Sequence, residues 1–138
     1  MAAGGGRRRR GDLTRAEAVL QQTRRAQDEA GFAPDNAYRG LELRLHGDLR
    51  LARGDVAGAK ATYRRACATL AVPASPHDPE LAACRLALAR ALGQGTEAQA
   101  LARRARDAYR ALGEGFAAER AEAQALLDAP AHRLAAAQ

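Results

Sequence analysis

The sequence specifies an all-α chain of about six helices, and three features of it say so. Leu and Ala dominate its apolar residues while aromatics make up 4% and Trp is absent, so the core is built from the two residues that lose least rotamer freedom in a helix. β-Branched residues are scarce, with three Val, five Thr and no Ile, too few for a sheet. Glycine, proline and capping residues punctuate the chain at helix-length intervals.

The punctuation delimits each element in turn. Residues 1–10 (MAAGGGRRRR) read as a disordered basic leader, small flexible residues followed by self-repelling charge. A first helix is expected from Leu13 to Ala30, opened by Thr14 and Glu17 in capping-box spacing and closed by Gly31. Pro34 and Asp35 introduce a second helix, 36–53, which ends at Gly54. Asp55 caps a third, 56–71. The segment 72–79 (VPASPHDP) holds three prolines and is not helical. Asp78 followed by Pro79 is an N-cap and first-turn pair for a fourth helix, 79–92. A fifth begins after Thr96 and reaches Leu112, and a sixth covers 116–128 before Pro130. The helical body thus spans 11–128, and 129–138 reads as a flexible tail.

The second helix carries two apolar flanks on a wheel of 100° per residue. Tyr38, Leu41, Leu45, Leu49 and Ala52 form one; Gly40, Leu43, Gly47 and Leu51 form the other. One polar edge between them holds Arg39, Glu42, His46, Arg50 and Arg53, and the opposite edge holds Arg44 and Asp48. An amphipathic surface helix has one apolar stripe. Two flanks predict a helix packed on both sides, with Gly40 and Gly47 admitting a close neighbour.

Self-comparison reveals a repeat. Gly11–Ala16 (GDLTRA) parallels Gly54–Ala59 (GDVAGA), and Ala59, Ala61, Arg64, Arg65 and Ala66 match Ala98, Ala100, Arg103, Arg104 and Ala105. The periods of 43 and 39 residues lie in the range of helical repeats, one hairpin per unit. Gly47, Gly54, Ala59, Tyr63 and Ala66 reproduce the small–turn–small–aromatic–small spacing of the tetratricopeptide repeat, which the chain resembles over 11–128. The next unit keeps Ala98 and Ala105 but has Ala102 for the aromatic. His46, Arg50 and Ala71 stand where that family usually has Leu, Tyr and Pro. The run Ala105–Gly113 (ARDAYRALG), with the Ala/Glu-rich segment after it, is similar to repeat arrays in bacterial signalling proteins. The resemblance implies a right-handed stack of antiparallel helical hairpins and a non-catalytic scaffold that takes a protein, as a peptide or helix, on its concave face. In the best-matched unit the groove positions it implies are Leu41, Arg44, Asp48 and Leu51. The wheel places Arg44 and Asp48 on one polar edge independently of that resemblance.

The net charge of +6 divides unevenly. Four charges belong to Arg7–Arg10, leaving 18 basic against 16 acidic residues in the rest. So neutral a body argues against a nucleic-acid-binding domain, although the leader together with Arg64–Arg65 and Arg103–Arg104 keeps binding to nucleic acid or acidic partners as the alternative. Lys60 is the sole lysine, a bias that reads as GC-rich bacterial coding. No catalytic constellation is expected: Ser75, the sole serine, stands near His77 and Asp78, but neighbours in a chain point apart, and Asp78 reads as a cap. Three scattered histidines and two distant cysteines give no metal spacing, no glycine-rich phosphate loop joins a strand to a helix, and no cofactor is expected. Cys67 and Cys84 read as free thiols within helices. Without a membrane-length apolar run, the protein is expected to be soluble and cytoplasmic.

Overall fold

The computed structural model describes residues 2–75 and 77–129, with side chains from Arg9 onward. Among the described residues there are six α-helices and one short 3₁₀ turn, and no strand: α1 (Ala2–Glu29), α2 (Ala37–Ala52), α3 (Val56–Ala71), α4 (Pro79–Leu92), α5 (Thr96–Leu112) and α6 (Ala117–Asp128), with the 3₁₀ turn at Glu114–Phe116.

The caps explain the boundaries. Asn36 accepts from the N–H of Tyr38, Asp55 from that of Gly58, and Asp78 from those of Glu80 and Leu81, each satisfying donors that a helix start leaves orphaned. Gly54 and Gly93 follow α2 and α4 at φ +85° and +81°, backbone that a Cβ would strain. The start of α1 differs from expectation. Thr14 is no cap: its hydroxyl bonds to the carbonyl of Arg10 one turn back, and the backbone of 2–10, expected as a disordered leader, continues α1. Arg and Ala extend a helix already nucleated downstream at little cost, while Gly4, Gly5 and Gly6 oppose it by about 1 kcal/mol each. From Pro130 on, the expected tail lies outside the described residues.

Each helix packs chiefly on its neighbours in sequence, α2 on α3 most extensively, and α2 with α4 and α4 with α6 touch more lightly. The core is three linked clusters. Ala66, Leu70, Leu81 and Cys84 join α3 to α4 beneath Leu41 and Leu43 of α2; Ala59, Tyr63, Ala87 and Leu88 continue it; Ala82, Leu86, Ala105, Ala108, Tyr109 and Ala123 tie α4 to α5 and α6. Small alanines let the helix axes approach, and the two buried tyrosines fill what remains.

One sequence expectation is corrected by α2. Gly40 and Gly47 of its glycine flank are packed as expected, against Leu70 and Tyr63, and Leu43 is half-buried, while Leu51 at the end of that flank is exposed. The other flank is not dry: Leu49 is 8% exposed, but Tyr38 is 63% and Leu45 45% exposed, and Ala52 is open as well. The reason lies in α1, which meets α2 along the polar edge that holds Arg39, Glu42, His46 and Arg53. Arg39 pairs with Asp28 at 2.8 Å, Arg53 with Glu17 at 2.9 Å, and Glu42 with Arg24 at 3.3 Å. His46, on the same edge, lies 2.8 Å from the carboxylate of Glu42, whose side chain is only 4% exposed. Ion pairs hold α1 over the polar edge and leave half of the apolar flank uncovered.

Candidate interaction surface

The four groove positions separate in the structure. Leu41 is half-buried on the Ala66–Leu70–Leu81–Cys84 cluster, where the first turn of α4 meets the end of α3, and supports the core. Arg44, Asp48 and Leu51 remain on one accessible edge of α2. Leu51 is exposed, and Asp48, also exposed, accepts a short hydrogen bond from the Tyr63 hydroxyl. Arg44 is half-buried with its Nε out of water and without a hydrogen-bond partner.

Three further residues complete the edge, each from the next-but-one helix. Arg90 of α4 pairs with Glu122 of α6 at 2.7 Å, and Glu119 of α6 carries a buried Oε2 that also lacks a partner. These charges converge on two tyrosine hydroxyls contributed from behind by α3 and α5. Burial, and then the bond to Asp48, pushes the Tyr63 phenol well above the usual tyrosine range, with Arg90 opposing. Burial pushes Tyr109 up to about 12, Glu119 adding to the shift while Arg44 and Arg90 oppose it. The result is a strip running Arg44, Asp48, Arg90, Glu119, Glu122 across α2, α4 and α6, of mixed sign, with one donor and one acceptor left unsatisfied. On α4 only Arg85 and Arg90 are strongly polar after Glu80; nothing in the pattern of α6 singles out its glutamates.

The remaining arginines are engaged differently. Arg24, Arg50, Arg53 and Arg65 line a cleft of about 330 Å³ with His46. Arg24 pairs with Glu42, Arg50 with Asp55, Arg53 with Glu17, and, outside the cleft, Arg64 with Glu97. These four cations, matched to carboxylates, offer little to phosphate, whereas Arg65 in the cleft and Arg103 and Arg104 on α5 have no carboxylate partner among the described residues. The Oδ1 of Asp78 accepts from two backbone N–H groups at 2.8 and 3.0 Å, so it serves as a cap. Among the described residues no group of three or more His, Cys, Asp or Glu is placed to hold a metal ion, and no helix is long and apolar enough to cross a membrane.

The fold and this edge define a class and no more: an all-helical chain with a polar strip spanning alternate helices. Compared with protein-family models, curated proteins and solved structures, the chain matches none.

Proposed function

We propose that the chain is a protein-interaction scaffold of the tetratricopeptide kind, a right-handed stack of antiparallel helical hairpins that takes a peptide or helix across α2, α4 and α6. The opposed pairings of Gly40 with Leu70 and Gly47 with Tyr63 support hairpin geometry, since the partner number falls as the glycine number rises. Packing on sequence neighbours supports a stack, each unit resting on the next.

The observation that carries the reading is the strip itself. Alternate helices bring Arg44, Asp48, Arg90 and Glu119 to one side, and two of their polar atoms are buried without partners. Alternating charge suits a polypeptide, which offers C=O and N–H together, better than a ligand of one sign. No side chain in the strip is needed as nucleophile, base or metal ligand in this role.

Peptides selected from a random display library against the full chain test it. Arg44→Gln and Leu51→Glu should each weaken a selected peptide at least about tenfold, equivalent to roughly 1.4 kcal/mol, while Arg103→Gln on the outer face of α5 leaves it unchanged. Equal affinity across all three would refute the assignment.

A further inference from the structure

The uncovered flank of α2 forms one wall of a groove whose other wall is α1. Leu13, Ala16, Val19 and Leu20 face Leu45 and Leu49 across about 430 Å³ of almost wholly apolar surface. The internal repeat says what such a groove holds elsewhere in the molecule. With a period of 43, Val19 and Leu20 of α1 correspond to Thr62 and Tyr63 of α3. With a period of 39, which superposes Gly54 on Gly93, Leu45 and Leu49 of α2 correspond to Cys84 and Leu88 of α4. At α3 and α4 all four positions are buried. At α1 and α2, Val19 is 58% exposed and Leu45 45%. The difference is one helix: α2 packs on α3, and its Leu41 and Leu43 cover the cluster holding Cys84, whereas nothing among the described residues does the same for α1 and α2.

We propose that this seat takes α6 of a second copy of the chain, so that copies join head to tail. α6 is the right kind of helix: it rests on α5 and α4 as α4 rests on α3 and α2. It is also unpartnered on its outer side, where Ala118, Ala121 and Ala125 are exposed one turn apart and no helix follows among the described residues. Small side chains there allow the close approach that the glycines of α2 allow α3. The charges agree. α1 carries seven arginines against four acids, and Glu114–Asp128 carries four acids against one arginine. A two-fold contact of α1 with α1 would instead set Arg9 and Arg10 of one copy near Arg24 and Arg25 of the other, an arrangement that repels. A head-to-tail contact that does not close adds copies in a row.

This inference rests on the hairpin-stack reading, and its test is separable from the peptide-binding edge. Sedimentation of the full chain from about 10 μM to 1 mM covers the affinities of a single-helix contact. The weight-average mass should climb past two copies, and raising salt to about 0.3 M should weaken association at least about threefold. Leu45→Glu blocks the seat and Ala121→Arg blocks the outer face of α6; both positions are already exposed, and Val19→Glu is the second seat block. Each variant alone should stay monomeric with unchanged helicity, while Leu45→Glu mixed with Ala121→Arg should form a pair that grows no further. A wild type monomeric throughout, or a dimer that stops at two and fails to form from the mixed variants, would overturn the proposal. Either result leaves peptide capture at Arg44 untouched, whereas loss of helical packing in all variants would strike both readings.

Discussion

Tyr63 occupies the space that a side chain at Gly47 would need. A Cβ on Gly47 would stand 2.5 Å from Cε1 and 2.6 Å from Cδ1 of the ring. The ring cannot swing aside freely, because its hydroxyl is bound to Asp48, the residue after that glycine. Helix propensity alone would favour Gly47→Ala by about 1 kcal/mol. Overpacking costs about 1–3 kcal/mol, and the Asp48 bond adds about 1 kcal/mol if the ring moves. Gly47→Ala should therefore lower stability by about 1–3 kcal/mol in urea denaturation. Gly40→Ala meets Cγ and Cδ2 of the buried Leu70 at 2.7 and 2.8 Å and its backbone nitrogen at 3.3 Å; with about 1 kcal/mol regained in helix propensity against about 1–3 kcal/mol for overpacking, it should cost up to about 2 kcal/mol.

Glu42 anchors α1. Its carboxylate, almost wholly buried, meets Arg24 from α1 and His46 from its own helix. Truncation would leave His46 and Arg24 without their acid, and breaking a buried pair costs about 3–5 kcal/mol. Arg24 is half exposed and recovers part of that from water, so about 1–3 kcal/mol is expected for Glu42→Ala. The loss should be local: amide exchange should quicken in 13–29 before the amides of α3 and α4, which share the main core. Uniform acceleration along the chain would contradict the anchoring role.

The two cysteines should react unequally. Cys84 is wholly buried and its thiol lies 3.7 Å from the carbonyl oxygen of Tyr63. The neighbouring sulfur of Cys84 draws the Cys67 thiol below its usual range, and the closeness of Cys67, with burial, pushes Cys84 above its own. Thiolate is the reactive form. Iodoacetamide at pH 8 should modify Cys67 first and Cys84 only on unfolding, as read by peptide mass mapping. Cys84→Ala should slow modification of Cys67, since the neighbouring sulfur that lowers its thiol is gone.

Alkaline pH should weaken the fold through the tyrosines. Both phenols are raised above the ordinary value of 10, chiefly by burial, Tyr109 to about 12. The folded chain then holds these protons while the unfolded chain releases them near pH 10. Their contribution is full below that pH and is lost as pH rises through the folded value. Urea midpoints should fall between pH 10 and 11, and less steeply in Tyr109→Phe.

Helix boundaries were legible because caps act locally. Asp55, Asp78 and the glycines after α2 and α4 set termini whatever the helices later pack against. What the wheel of α2 could not tell is which stripe has a neighbour. Its polar edge reads as solvated, yet α1 covers it with Glu17, Arg24 and Asp28, because charges a full helix apart in sequence give no periodic signal. The apolar flank reads as dry, and half of it is open. For the site, Arg44, Asp48 and Leu51 share an edge as their spacing requires, while Leu41, on the same arc, lies where α3 and α4 close over it. Glu119 joins the strip through the fold of α6, which no spacing within α2 encodes.

The edge of α2 is tested most directly by an NMR footprint of a selected peptide on the isotope-labelled chain. Asp48→Asn is the clean control variant, since it keeps an acceptor for Tyr63 while removing the charge. Shift changes should concentrate on Arg44, Asp48, Leu51, Arg90 and Glu119, and shrink in Asp48→Asn without a change in melting temperature. A footprint on the arginines of α1 that fades with salt, with this edge silent, would contradict the account.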